Sequence, residues 1–128
     1  MLTKKYRFPV EPIRRANGNC PSEEFYNGLD TPVKAKFIGI FKGINKSKDG
    51  CLRDKDKLRK LQGGHTGNLW EMRVRYNKMW YRILCFRDGS AWKLTHGFKK
   101  NDNDTDVSEI EKGVAIKDEY SANKTQSI

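Results

Sequence analysis

Long apolar runs are missing from this 128-residue chain. The longest uncharged apolar stretch, FIGIF at residues 37–41, is far short of the roughly 20 residues that cross a bilayer. The opening MLTKKYRFPV carries charge where an export signal needs an apolar segment. The sequence therefore predicts neither a membrane span nor secretion. Cysteine is also scarce: Cys20, Cys51 and Cys85 are odd in number, widely spaced and without a CxxC pair. That pattern excludes a disulfide framework and a zinc site, and a reducing cytoplasm is the expected compartment. Apolar residues make up only 36% of the chain, so its core must be thin and lean on three Trp, five Tyr and six Phe. The length suits one domain, expected over residues 1–120, with a frayed tail at 121–128 that has little to bury. Internal repeats and low-complexity tracts are absent from the sequence.

What the chain has in excess is positive charge, +10 overall, and it is unevenly placed. Residues 42–60 hold eight basic and three acidic side chains, residues 61–100 eight and two, and residues 101–128 three and seven. Within the basic middle stand Trp70, Tyr76, Trp80, Tyr81 and Trp92. Basic groups interleaved with aromatics form a polyanion-binding pattern, with phosphate attraction from the first and base stacking from the second. A solvated charged face is the plainer alternative for a run such as residues 53–60.

Residues 5–13, KYRFPVEPI, alternate apolar and polar positions, and Pro9 and Pro12 confine such a strand to a sheet edge. PSEEFYNGL at 21–29 reads as a short helix with Ser22 as N-cap, and a second helix begins near Thr31 and Pro32, with Phe37, Ile40, Phe41 and Ile44 at helical spacing. Residues 47–67 are polar and Gly-punctuated, a loop or a partly helical segment around Leu58. The stretch from Leu69 into HGFKK reads as a three-stranded antiparallel meander with tight connections at Asn77-Lys78 and Asp88-Gly89. Alternation puts Trp70, Met72 and Val74 on one face and Leu69, Glu71, Arg73 and Arg75 on the other, so one face is expected to be core and the other to carry arginines. A last helix follows the acidic linker NDNDTD, capped by Thr105 or Asp106 and striped by Val107, Ile110 and Val114.

Several motifs fail on inspection. Asp102, Asp104 and Asp106 have calcium-loop spacing, but the turn glycine position is Val107 and the bidentate glutamate position is Gly113. GGHTG at 63–67 lacks the lysine of a phosphate loop and precedes a strand, so it reads as a turn. Cys85 sits among apolar strand residues, where a thiol is packing. What remains is Glu71, Arg73, Arg75 and Arg82 on adjacent strands, with His96, Lys99 and Lys100 where the third strand ends. Cationic groups converging on a phosphodiester stabilise the extra charge of its transition state, and a histidine or carboxylate can move the protons without metal or cofactor. RNA cleavage by the substrate's own 2′-hydroxyl suits that set. The same arginines also suit plain phosphate contacts or salt bridges, and His96 a structural role.

The runs LWEMRVR, MWYRILCF and HGFKK, followed by SEIEKGVAIKDEY, resemble the RelE superfamily of bacterial toxins, in particular its phage-derived HigB-like branch. The likeness spans roughly residues 5–120. It implies an α+β fold: two N-terminal helices on one face of a small, twisted, mainly antiparallel sheet, a C-terminal helix, and a concave basic face that enters the ribosomal decoding site and cuts mRNA. Arg73 matches the basic residue of the "ElR" motif, Arg82 the arginine of "yRv", and Lys99 and Lys100 the basic pair closing the third strand. The resemblance makes Arg73, Arg82 and Lys99 phosphate ligands, Glu71 a proton acceptor or an arginine partner, and His96 the acid or base. RNA contacts fall to Arg75, Lys100, Arg53, Lys57, Lys60 and Trp80. Many ribosome-dependent members carry Tyr or His near the start of the last helix, where this chain has Asp104, Thr105, Asp106 and Val107. The implied partners are a cognate antitoxin, acidic where it meets the basic face, the ribosome and its mRNA; operator DNA is met only through the antitoxin complex. Two other functions share these features: a ParE-like toxin that poisons DNA gyrase, and an RNA-binding module without chemistry. On the nuclease reading Arg82→Ala is expected to abolish toxicity and leave the fold intact.

Overall fold

The computed structural model describes residue 3 and residues 5–126. In chain order the elements are β1 (Val10–Pro12), α1 (Pro21–Asn27), α2 (Thr31–Lys46), β2 (Leu58–Lys60), a 3₁₀ turn at Gly64–Thr66, β3 (Trp70–Tyr76), β4 (Met79–Asp88), β5 (Ala91–Lys100) and α3 (Val107–Gln126). They form a mixed α+β fold with one five-stranded sheet in the order β1-β5-β4-β3-β2. Only β1 and β5 run parallel.

The meander forms where β-type residues are divided by residues that tolerate positive φ. Asn77 and Lys78 stand at φ 49° and 64°, the primed-turn geometry whose twist matches the strands it joins. The second link is Gly89-Ser90, one residue later than expected, with Gly89 at φ 62°. At the opposite edge the proline-flanked strand shrinks to three residues, because Pro9 and Pro12 have no N–H to donate. Residues 58–60, expected in a loop or partial helix, instead pair with Trp70–Met72 as β2. Alternation of buried Leu58 with Arg59 carries that strand, which is too short for periodicity to reveal.

Apolar faces close the fold on both sides of the sheet. Tyr26 of α1 and Val33, Phe37, Ile40, Phe41 and Ile44 of α2 pack with Met72, Val74, Ile83, Cys85, Trp92 and Leu94. Trp92 meets Trp70 edge-on and donates its Nε1–H to the Gly50 carbonyl at 2.7 Å. Gly97 lets α1 approach β5, since a Cβ there would sit 2.1 Å from the Phe25 ring. On the other side Leu69, Leu84 and Phe86 pack with Ile110 and Ile116 of α3. The expectation of one core face and one arginine face is thus corrected: the second face is half apolar core. Within α3 the stripe also differs, since Val107 is 57% exposed and Ile116 takes its place in the core. The expected Ser22 cap is replaced by Cys20, and α3 continues through the start of the expected tail to Gln126, while residues 127–128 lie outside the described residues.

Candidate functional site

Beside the apolar half of the α3 face lies a charged half, and it is buried. Glu71 and Arg82 are 0% exposed, His96 1% and Arg73 3%. Strand pairing sets Arg73 opposite Arg82 and Glu71 opposite Leu84, so the three charged side chains emerge on one face of neighbouring strands. His96 reaches that face by an irregularity. A bulge between Leu84 and Cys85 on the β4–β5 ladder leaves Thr95 without a partner, and beyond it the alternation of β5 is inverted. Leu94 packs under α2, while His96 faces the α3 side.

Glu71 is the anionic centre of a cationic cluster. Its Oε1 lies 3.0 Å from Arg73 Nε, 3.3 Å from an Arg59 terminal nitrogen and 3.7 Å from Arg82 Nε. Three guanidinia around one carboxylate leave an excess of positive charge in a desolvated place. Burial, with Arg59 nearby, pushes the Arg73 guanidinium below its usual range. Residues 101–106 answer that excess from above. Arg82 donates one terminal nitrogen to the Asp102 carbonyl and the other to the Asp104 carbonyl. Arg73 donates to the Asn103 side-chain oxygen, Arg59 to the Asn103 carbonyl at 3.0 Å, and the Thr105 hydroxyl to Glu71. Lys100 holds both Asp102 and Asp106. The buried Nε atoms of Arg73 and Arg82 face Glu71 Oε1 as ion pairs, and that of Arg59 is buried without a hydrogen-bond partner.

His96 is neutral. Burial and, secondarily, Lys112 lower its pKa to about 4. The Thr95 hydroxyl spends its proton on the Leu84 carbonyl at 3.1 Å and so accepts from His96 Nδ1, also at 3.1 Å. His96 Nε2 has no hydrogen-bond partner and lies 3.5 Å from the Glu109 carboxylate. The ring stacks on Phe98, which the Arg82 guanidinium also overlies.

Arg73 links this cluster to open solvent. Its guanidinium lies 4.1 Å from the centre of the Trp80 ring, and that of Arg75 5.1 Å from the same ring. Trp80, Arg73 and Arg75 line a groove of about 630 Å³ with Lys57, Lys36 and Asp56. The groove follows the outer edge of β3 beyond the end of β2. An exposed guanidinium, that of Arg75, beside an indole face suits a stacked base and its phosphate.

The sequence-predicted residues therefore separate into groups. Glu71, Arg73, Arg82 and His96 share the buried face; Arg75, Trp80 and Lys57 share the groove. Lys100 pairs with the acidic segment, and Lys60 is the exposed last residue of β2. Lys99 does not join them, because strand parity turns it to the α1 side against Tyr81 and Phe25. Arg53 is held by Asp49 at 2.7 Å. The expectation that Arg82→Ala spares the fold is corrected, since Arg82 is wholly buried against Glu71. Sequence reading missed Arg59, Asn103, Thr105 and Asp56, whose carboxylate is 3.8 Å from Arg73. None of the four had a signal in the sequence, β2 being too short for periodicity to show Arg59.

Among the described residues no group of three or more His, Cys, Asp or Glu is placed to hold a metal, and no helix is long and apolar enough to cross a membrane. The model of a family described as phage derived protein Gp49-like (DUF891) matches residues 24–117. No curated protein matches the chain.

Proposed function

The chain belongs to the Gp49-like family of phage-derived proteins, a family associated with the toxins of toxin–antitoxin systems, and we propose that it is such a toxin and acts on RNA. The observation that carries the reading is the position of Arg73, paired with Glu71 on one side and stacked on Trp80 on the other. In this reading a base stacks at Trp80, and Arg75 and Lys57 hold flanking phosphates. Arg73 and Arg82 stabilise the phosphorus that reacts. The reaction is mRNA cleavage within the ribosomal decoding site. The substrate's 2′-oxygen forms a bond to phosphorus, the bond to the 5′-oxygen breaks, and no metal or cofactor takes part. Glu71 orients the guanidinia through their Nε sides, the unprotonated Nε2 of His96 accepts the 2′-hydroxyl proton, and the leaving 5′-oxygen takes a proton from water. Lys99 and Arg53 have no part in it. The basic groove also suits an acidic cognate antitoxin, which competes with RNA for the same charges.

Induction of the chain in growing bacteria, with 5′ ends mapped on translated and untranslated copies of the same messages, tests this reading. Cuts confined to translated copies, reduced at least about tenfold in a Lys57→Glu/Arg75→Glu variant, are the expected result. Both residues are exposed, so the variant keeps the fold. Growth arrest with intact messages points instead to a gyrase-directed toxin, and normal growth to a binding module.

A further inference from the structure

The guanidinia assigned to phosphate are already occupied by the chain itself. Residues 101–106 place two backbone carbonyl oxygens on the two terminal nitrogens of Arg82, the bidentate arrangement that two phosphate oxygens would take. The Asn103 side-chain oxygen takes a terminal nitrogen of Arg73. We propose that residues 101–106 are a displaceable strap, an intramolecular stand-in for a phosphodiester that keeps the cluster closed until RNA replaces it. The proposal rests on the reading of this face as an RNA site.

The strap's composition and anchoring support displacement. Asn101, Asp102, Asn103, Asp104 and Asp106 are exposed, and among residues 101–106 no apolar side chain ties the segment down. Its hold on the guanidinia is through oxygen acceptors that RNA phosphate oxygens can replace at little loss, the Thr105 hydroxyl's bond to Glu71 being the contact that is given up. The helix that follows is fixed elsewhere. Tyr120 and Lys124 both bind Asp88, Glu119 binds Arg15, and Lys117 donates to the Gly67 carbonyl. Ile110 and Ile116 are buried in the apolar half of the face. A strap between a strand end and a pinned helix can lift without moving either. Its three aspartates add repulsion against approaching phosphates, so closure also raises the threshold for a weakly held polyanion.

The test uses the full chain, an Asn103→Ala/Thr105→Val variant, and a short fluorescein-labelled single-stranded 2′-O-methyl RNA that cannot be cleaved. Anisotropy gives affinity, and phenylglyoxal labelling read by mass spectrometry gives arginine access. Loosening the strap raises the competent fraction, so affinity is expected to rise about tenfold, with Arg82 becoming reactive and Arg75 unchanged. In the unaltered chain, RNA is expected to speed hydrogen exchange across 101–106 and leave 117–124 unchanged, a readout that does not depend on the variant folding. Equal RNA affinity in both proteins, with exchange at 101–106 unmoved by RNA, overturns the strap and leaves the RNA reading standing. No RNA binding by either protein, with Arg82 labelled only in the variant, overturns the RNA reading and the proposed ligand with it.

Discussion

Two neighbouring halves of one sheet face are closed in different ways. Leu69, Leu84 and Phe86 are covered by Ile110 and Ile116 of α3, and Gly113 lets that helix approach until a Cβ would sit 2.8 Å from Leu69. Glu71, Arg73, Arg82 and His96 are buried as deeply, yet residues 101–106 and the first turn of α3 cover them with hydrogen bonds and ion pairs. Apolar closure has no competitor in water. Polar closure does, because any ligand that offers the same oxygens can replace it. The apolar half thus holds the helix in place, and the charged half is where chemistry can be exposed.

The sharpest way to break this contrast is to remove the carboxylate on which the charged half is centred. Glu71→Ala leaves the guanidinia of Arg59, Arg73 and Arg82 facing one another without a counter-charge. A loss of roughly 3–5 kcal/mol in urea unfolding is expected, as for other broken buried pairs. Ile116→Ala in the apolar half is expected to cost about 2–4 kcal/mol. Salt separates the two, partly relieving the like-charge repulsion in the first variant and leaving the cavity in the second unaffected.

The same contrast governs how much was legible in the sequence. Period-two alternation along β3, and the turn residues after it, announced the meander and put Glu71 and Arg73 on a common face, to which the β3–β4 register adds Arg82. Helical spacing at Phe37, Ile40, Phe41 and Ile44 likewise announced α2. Burial of the charged face was not legible. It depends on residues 101–106 folding back over the sheet, and that segment makes its key contacts through backbone carbonyls that any sequence possesses. The inversion of β5 was hidden for a similar reason, since strict alternation places His96 with Leu94 and only the bulge at Thr95 turns it over. Lys99 shows the converse. Simple counting beyond the bulge sends it to the α1 side, and its motif partner Lys100 to the other.

A second measurement sharpens the comparison through pH. Burial lowers the His96 pKa from 6.5 to about 4, so between those values the unfolded chain binds a proton that the folded chain does not. Stability from this group is therefore complete above about pH 6.5, falls as the pH drops towards 4 and is level below that, a loss of roughly 3 kcal/mol at most. Urea unfolding across this range is expected to show the slope in the unaltered chain, on top of any shared carboxylate titration. His96→Gln, which removes the titrating ring, is expected to lack it. An identical slope in both proteins would place His96 in contact with solvent and remove the closed charged half from the argument.

The smallest effect belongs to the open side of the site. Arg75 is exposed on the Trp80 face, outside the strap, and Arg75→Ala is expected to change folding stability by no more than about 0.5 kcal/mol. Its contribution to RNA binding should instead appear in the salt dependence. Removing one phosphate contact to a single strand lowers the slope of log affinity against log salt by about 0.7. The strap variant should behave in the opposite sense: uncovering Arg82 and Arg73 adds phosphate contacts and steepens the slope. A steeper slope with the strap loosened and a shallower one without Arg75 would mean that the groove makes the first contact and the covered cluster the second. An unchanged slope without Arg75 would confine phosphate binding to the face beneath residues 101–106.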